Sequence, residues 1–518
     1  MFAIALAILA LLAACSSAPV TGPEAARALI DESAAAMGGW PTLDAVQTQE
    51  ILTGGVDWEL MQAVDPAGEP RAINKFGQDI TIDFQKQRMR LVFDAVRSYP
   101  TAQPVKFTEV IDGDAGMLEV SDPAGKVVRS RLHPGIYATR LREINRLPIR
   151  LLYAAKNAPD VTRVEDRKDE KTTIHVLRYT DAGLPVELQL DSFNKLPMRV
   201  IYTEDDPIYG DTLNELAYLD WRDYNGIRLP QSQATFLNGN KIREERVRTL
   251  IHNPELDEST LVVPGEIRSQ PENGQRIVSQ WPLRRAAMGV GYQDYTREQK
   301  VEFVEIARGV YHVKGSSHNS MAIEMKDHIV VIEAPLYEER SAAVIKALEE
   351  KIPGKPIKYV VMTHFHNDHS GGIRAYAAKG ATILAPESIV PFLKTVLSRP
   401  KTIRPDSLAK AGNITPTIEG VKDMKSLTDG EHTVELRQVA NEHAAAMLVA
   451  YLPNEKVLFV SDLFSPGNPI QPGDPNASAL YTAIMSMNLK VDRIAGGHGA
   501  LGPFGDLVKA AAPAAKSD

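Results

Sequence analysis

At 518 residues the chain is longer than one compact core holds, and domains of about 100–200 residues imply two or three units. Its composition, 44% hydrophobic and 24% charged with no long like-charge run, is ordinary for a soluble globular protein, and a net charge of −8 argues against a general nucleic-acid binder, so no nucleic-acid partner is expected. Cys15 is the only cysteine, which excludes an intramolecular disulfide and any cysteine-based zinc site.

Residues 2–14 are an unbroken apolar run. Spanning a bilayer takes about 20 residues, so this run is too short for that, but it suits the apolar core of an export signal. The segment Leu12-Ala13-Ala14-Cys15 resembles the lipobox of bacterial lipoproteins. The resemblance implies that Cys15 is lipidated and becomes the mature N-terminus. Ser16 at the next position implies sorting to the outer membrane, so the expected location is a lipid-anchored protein facing the periplasm. Residues 16–30, rich in Ser, Ala, Pro and Gly, read as a tether.

From 31 to 265 the pattern is mainly β. Val186, Leu188 and Leu190 alternate with Glu187 and Gln189, the period-2 signature of a half-buried strand. Residues 191–195 supply turn chemistry, and 196–202 read as the returning strand. Further strands are expected at 172–179 and 246–251. Trp221, Gly226-Ile227-Arg228-Leu229-Pro230, Asn253-Pro254 and Val263-Pro264 loosely resemble the half-barrel folds of periplasmic lipoprotein carriers. No catalytic constellation stands in this region, and His133, His175 and His252 are scattered without ligand spacing. Residues 266–300 read as a linker, polar and turn-rich at 268–274. Met288-Gly289-Val290-Gly291 is no dinucleotide loop, because Asp294 stands where the third glycine belongs.

From 301 to 510 strands interleave with helices, which indicates the α/β class. Strands are expected at 301–306, 321–325, 329–332 and 357–362, with a helix over 338–352 stopped by Pro353-Gly354. Immediately after the last of these strands stands Thr363-His364-Phe365-His366-Asn367-Asp368-His369-Ser370-Gly371-Gly372. Several imidazoles and a carboxylate in one short loop are costly to pack unless something binds them. Alternate residues His364 and His366 can face one point while Asp368 and His369 reach a neighbouring one. Neutral imidazole and carboxylate suit zinc and related divalent ions.

This loop resembles the His-x-His-x-Asp-His hallmark of the metallo-β-lactamase superfamily. The resemblance implies an αββα sandwich and further ligands in a set order. His443 follows an expected strand at 434–439, Asp462 ends a hairpin over 447–461, and His498 follows a short strand near the C-terminus. By resemblance, one metal takes His364, His366 and His443, a second takes Asp368, His369 and His498, and Asp462 bridges them. Two divalent ions are implied, Zn²⁺ first, with Mn²⁺ or Fe²⁺ as alternatives. Such ions share a water and lower its pKa towards about 7, and Asp368 is also placed to orient that nucleophile. Glu333 ends a strand where relatives often carry an aspartate and is expected to act behind the ligands at most, whereas His318 is a candidate for facing the substrate.

The activity implied is hydrolysis of an ester, thioester, lactone or related bond in a small molecule. β-Lactam hydrolases of the family generally lack an aspartate at the bridging position, so Asp462 favours the glyoxalase II, lactonase and phosphodiesterase-like branches, with β-lactam hydrolysis as a main or side activity left open. Two other readings stay open: an iron-dependent persulfide dioxygenase, and an envelope lipid-binding module with an auxiliary metal domain.

Overall fold

The computed structural model describes residues 21–514 except 100–101, 122–124, 169–171, 273, 275–278, 289–299 and 316. The apolar run, Cys15 and the discarded Gly-x-Gly segment therefore lie outside the described residues. Among the described residues, no helix is long and apolar enough to cross a membrane.

The N-terminal domain is built on one 13-stranded antiparallel sheet. Six strands run as a meander from Thr48–Glu59 to Val127–Arg131, and seven more from Thr162–Lys168 to Asn240–His252. The halves join where Thr48–Glu59 pairs with Asn240–His252, from Gln49 opposite His252 to Asp57 opposite Arg243. The edge strands Val127–Arg131 and Thr162–Lys168 do not pair with each other, so the sheet is open. Helices cover one face of it. Pro23–Met37 and Pro148–Asn157 bury Leu29, Ile30, Leu151 and Leu152 against Leu177, Leu188 and Val200. Pro134–Asn145 and Gln280–Ala287 bury Ile136, Leu283 and Ala286 against Leu91, Phe93 and Phe107.

Two boundaries differ from the sequence reading. The segment read as a tether over 16–30 contains the start of helix Pro23–Met37, which has proline at its first turn, where the missing N–H costs nothing, and runs through helix-favouring alanines. The segment read as a linker over 266–300 contains helix Gln280–Ala287, capped by the Ser279 hydroxyl and carrying fully buried Trp281 and Arg285. The interior of this domain holds a cavity of about 150 Å³, lined by Phe93, Phe107 and Leu283 but also by Arg140, Glu143 and Arg243.

The C-terminal domain stacks two sheets. The first runs in order Glu302–Ala307, Val310–Lys314, Ser320–Glu324, Ile329–Ile332, Ile357–Val361, Thr382–Pro386 and Ile418–Val421, antiparallel at first and parallel from Ile329 on. The second contains Met424–Thr428, Thr433–Gln438, Leu448–Leu452, Val457–Val460, Arg493–Gly496 and Leu501–Pro503. Strand alternation sorts the side chains into layers. Val330, Ile332, Val361 and Leu384 meet Leu448, Ala450 and Phe459 between the sheets. Their neighbours Val331, Val360, Val449 and Leu458 turn outwards to helices Glu338–Lys351 and Pro475–Ser486. The result is the αββα sandwich.

The domains share a core. Met61, Ala63, Ile208 and Tyr209 of the N-terminal domain belong to the same buried cluster as Val344, Phe365 and Ile373. Polar ties reinforce it: Lys401 lies 2.8 Å from the Asp205 carboxylate, and the Asp211 amide donates to the Pro400 carbonyl at 2.9 Å.

Candidate metal centre

Strand Ile357–Val361 delivers the chain to Thr363, after which the loop folds into a short helix, Asn367–Ser370. The glycines that follow allow this. A Cβ on Gly371 would strike the Leu336 carbonyl, and one on Gly372 the Ser341 hydroxyl. His364, His366 and His369 are fully buried as a result. The other residues arrive from the ends of strands: His443 after Thr433–Gln438, Asp462 after Val457–Val460 and His498 after Arg493–Gly496.

The structure gathers these residues into two groups. His364, His366, His443 and Asp462 form the first, and His318, Asp368, His369 and His498 the second, with the donor atoms of each group within 4.8 Å of one another. Asp462 lies between them. Its Oδ1 is 2.8 Å from His369 Nε2 and 3.1 Å from His498 Nε2, while its Oδ2 is 2.9 Å from His443 Nε2 and 3.6 Å from His364 Nε2. The Asp462 side chain is 12% exposed and that of His498 28%, so the centre opens to solvent on their side.

The hydrogen bonds test whether cations fit. A ligating histidine presents one nitrogen to the metal and fixes its ring through the other. Every ring here follows that pattern. His364 Nδ1 meets the Thr363 hydroxyl at 3.1 Å, and His369 Nδ1 meets the Glu333 carboxylate at 2.9 Å. His366 donates from Nε2 to the Ala63 carbonyl at 2.9 Å, which leaves Nδ1 facing His443. His318 Nδ1 meets the Ser317 hydroxyl at 2.7 Å, and His498 Nδ1 the Ser317 carbonyl at 3.3 Å. His443 Nδ1 meets the Tyr99 hydroxyl at 2.8 Å. His364 Nε2 and His369 Nε2 are turned inward and buried, 3.6 and 2.8 Å from the Asp462 oxygens, and His366 Nδ1 faces His443 Nε2 at 3.0 Å, so the donor atoms converge as they would around a cation. The donor set, imidazole and carboxylate without thiolate, fits zinc, manganese or iron.

Charge is arranged to match. Burial alone would raise the carboxyls of Asp368 and Asp462. Arg285 and His369 outweigh it at Asp368, as do His369 and His443 at Asp462, and both stay well below the usual carboxylate range. Burial holds His318, His364 and His366 below the usual imidazole value, so they are neutral and ready to ligate. At His369 burial is outweighed by the carboxylates of Asp462, Glu333 and Asp368, and at His498 by Asp462. Both rings are held above the usual value, so a cation binding there competes with a proton.

Four contributors escaped the sequence reading. His318 was placed there as a substrate-facing candidate, but its Nε2 points into the second group, 3.4 Å from Asp368 Oδ2. Tyr99, Gln62 and Arg285 come from the N-terminal domain and the segment that follows it. The Gln62 amide donates to Asp368 Oδ1 at 2.8 Å, and buried Arg285 lies 3.6 Å from Asp368 Oδ2. Their sequence surroundings carry no ligand-like spacing, so only the tertiary fold reveals them. Glu333 does more than end a strand. With φ at +69°, a conformation that residues with a Cβ seldom adopt, it accepts from Thr363 at 2.7 Å and holds His369. Exposed Glu442 takes no part.

The model of the Metallo-beta-lactamase superfamily matches residues 308–498, a span that includes both groups. A linear primary-alkylsulfatase from a Pseudomonas species is 34% identical over 71 residues, which are 14% of this chain and only 10% of that protein. Among solved structures, a metallo-β-lactamase from Pontibacter korlensis aligns at 17% identity and a TM-score of 0.33, covering 41% of this chain and 97% of that one. The metallo-β-lactamase FIM-1 from Pseudomonas aeruginosa, in its mono-zinc form, aligns at 16% identity and a TM-score of 0.31, covering 41% and 93%.

Proposed function

We propose that the protein is a binuclear metal-dependent hydrolase of ester-type bonds, a reading supported by the match of residues 308–498 to the model of the Metallo-beta-lactamase superfamily. The observation that carries this reading is Asp462, which turns one carboxylate oxygen towards each of two histidine-rich groups. His364, His366 and His443 would hold one divalent ion, and His318, Asp368, His369 and His498 the other, with Asp462 shared. Such a pair supplies Lewis-acid polarisation of the scissile bond and a water acidic enough to react at neutral pH.

The chain's own residues do the rest. Asp462 fixes the separation of the two groups and offsets their charge. Asp368, whose Oδ1 accepts from Gln62 and whose Oδ2 faces Arg285, would be the anionic donor of the second group and stand beside the attacking water. The sole cysteine lies near the N-terminus, far from the groups in sequence, so a thiol nucleophile has no support.

Esters, thioesters and lactones are the proposed substrate class, and the short match to an alkylsulfatase adds sulfate esters to it. The test is a hydrolysis screen of zinc- and manganese-loaded full-length protein. It covers carboxylic esters, lactones, thioesters, phosphodiesters, β-lactams and primary alkyl sulfates. Turnover of at least one class above the background of Asp462→Ala is expected. Turnover of none, or one iron per chain with oxygen consumption on a persulfide, would overturn the hydrolase reading.

A further inference from the structure

The connection between strands Thr48–Glu59 and Arg71–Asp83 does not stay with its own sheet. Its first turn, Leu60–Gln62, is a short 3₁₀ helix whose N-terminus is capped by Glu59, and Glu59 is itself held by Arg284 at 2.9 Å. Met61, Gln62 and Ala63 are buried to 1–2% exposure, inserted against the loop that carries the candidate ligands. The contacts are specific. The Gln62 amide donates to Asp368 Oδ1 at 2.8 Å, the Ala63 carbonyl accepts from His366 Nε2 at 2.9 Å, and the Val64 carbonyl accepts from the Ala445 amide at 2.7 Å. Two further side chains of the N-terminal sheet region grip His443. The Tyr99 hydroxyl lies 2.8 Å from Nδ1 and 3.3 Å from Nε2. Arg71 donates to the His443 carbonyl at 3.1 Å and lies 3.9 Å over the Tyr99 ring.

These contacts have a chemical consequence. For His443 to offer Nε2 to an ion, its proton must sit on Nδ1, where the Tyr99 oxygen accepts it. For His366 to offer Nδ1, its proton must sit on Nε2, where the Ala63 carbonyl accepts it. The other domain thus sets the tautomer of His366, contacts the ring of His443, and engages one oxygen of Asp368 in the second group.

We propose that the N-terminal domain is an integral part of the metal centre, with Tyr99 and Gln62 as positioning residues for His443 and Asp368. This inference rests on reading the two groups as ion sites, and the test separates the two. Full-length protein, stripped of metal, is titrated with Co²⁺, and both affinity and visible absorption spectrum are recorded for the parent, Tyr99→Phe and Gln62→Met. Each variant removes a hydrogen-bonding group and little volume, and the melting midpoint of the metal-free protein checks that the fold is intact. Tyr99→Phe is expected to weaken one of two Co²⁺ equivalents by about 10–100-fold, the usual effect of losing an outer-shell partner, and to alter the spectrum. Gln62→Met is expected to weaken the other. Parent protein that takes up no Co²⁺ would defeat the ion-site reading itself. Parent protein that binds Co²⁺, with both variants matching it in affinity and spectrum, would overturn the two-domain centre alone.

Discussion

Asp462→Asn is the substitution that tests the shared-carboxylate arrangement most directly. It keeps the size of the side chain and removes its charge. The first group then consists of three neutral imidazoles with no anionic donor, whereas the second keeps Asp368. The loss should therefore be unequal and fall on the first group. A site filled at a hundred times its Kd stabilises the fold by about 2.7 kcal/mol, so two such sites contribute about 5 kcal/mol. Weakening one of them a hundredfold brings the total to about 3 kcal/mol. For a domain of about 200 residues, each kcal/mol corresponds to about 2–4 °C in melting midpoint. The zinc-induced rise in midpoint should thus be about 4–8 °C smaller in Asp462→Asn than in the parent, and elemental analysis after dialysis should return about one zinc instead of two. Two retained equivalents with an undiminished thermal shift would refute the reasoning, because a carboxylate that served both groups could not be neutralised without effect.

His318→Ala should lower the affinity of one zinc equivalent and leave the other unchanged in a competitive chelator titration, since His318 faces only the second group. Arg374→Ala should lower the melting midpoint of the metal-free protein by about 10 °C. It strands the Asp406 carboxylate, which Arg374 pairs where both side chains are 6% exposed, and breaking a buried pair costs about 3–5 kcal/mol. Cys15→Ala should move the protein from membrane to soluble fractions, or leave it unprocessed, without changing zinc uptake. Wild-type protein that fractionates as soluble and carries no lipid by mass spectrometry would end the anchor proposal.

The C-terminal sandwich was legible in the sequence because its signals are local. Buried strands read as short apolar runs, and helix Glu338–Lys351 showed its period before Pro353-Gly354. The loop from His364 to His369 concentrates ligand chemistry in a few residues, and His443, Asp462 and His498 each follow a recognisable strand. His318 had a weaker signal, a histidine just before strand Ser320–Glu324, and nothing in its spacing tied it to residues so far along the chain. Tyr99 and Gln62 had none, because their role exists only once two domains have docked. The helices Pro23–Met37 and Gln280–Ala287 were missed for a different reason. Their Ser, Pro and Gly neighbours suggested linkers, while the apolar faces that decide their fate are short and find partners only in the tertiary core.

The distribution of hydrogen bonds around the two groups also bears on what the N-terminal domain is for. In the second group the imidazoles are fixed from within the C-terminal domain, His369 by Glu333 and both His318 and His498 by Ser317. In the first group only His364 is fixed that way, while His366 and His443 depend on Ala63 and Tyr99. A lipid-binding module that merely carried a metal domain alongside would have no reason to bury Met61, Gln62 and Ala63 beneath the ligand loop. Any displacement of the inserted turn would release His366 while leaving the outer partners of His369 in place. The two groups therefore differ in how far their imidazoles depend on the union of the domains: two of three in the first group lean on the N-terminal domain, which in the second reaches Asp368 through Gln62.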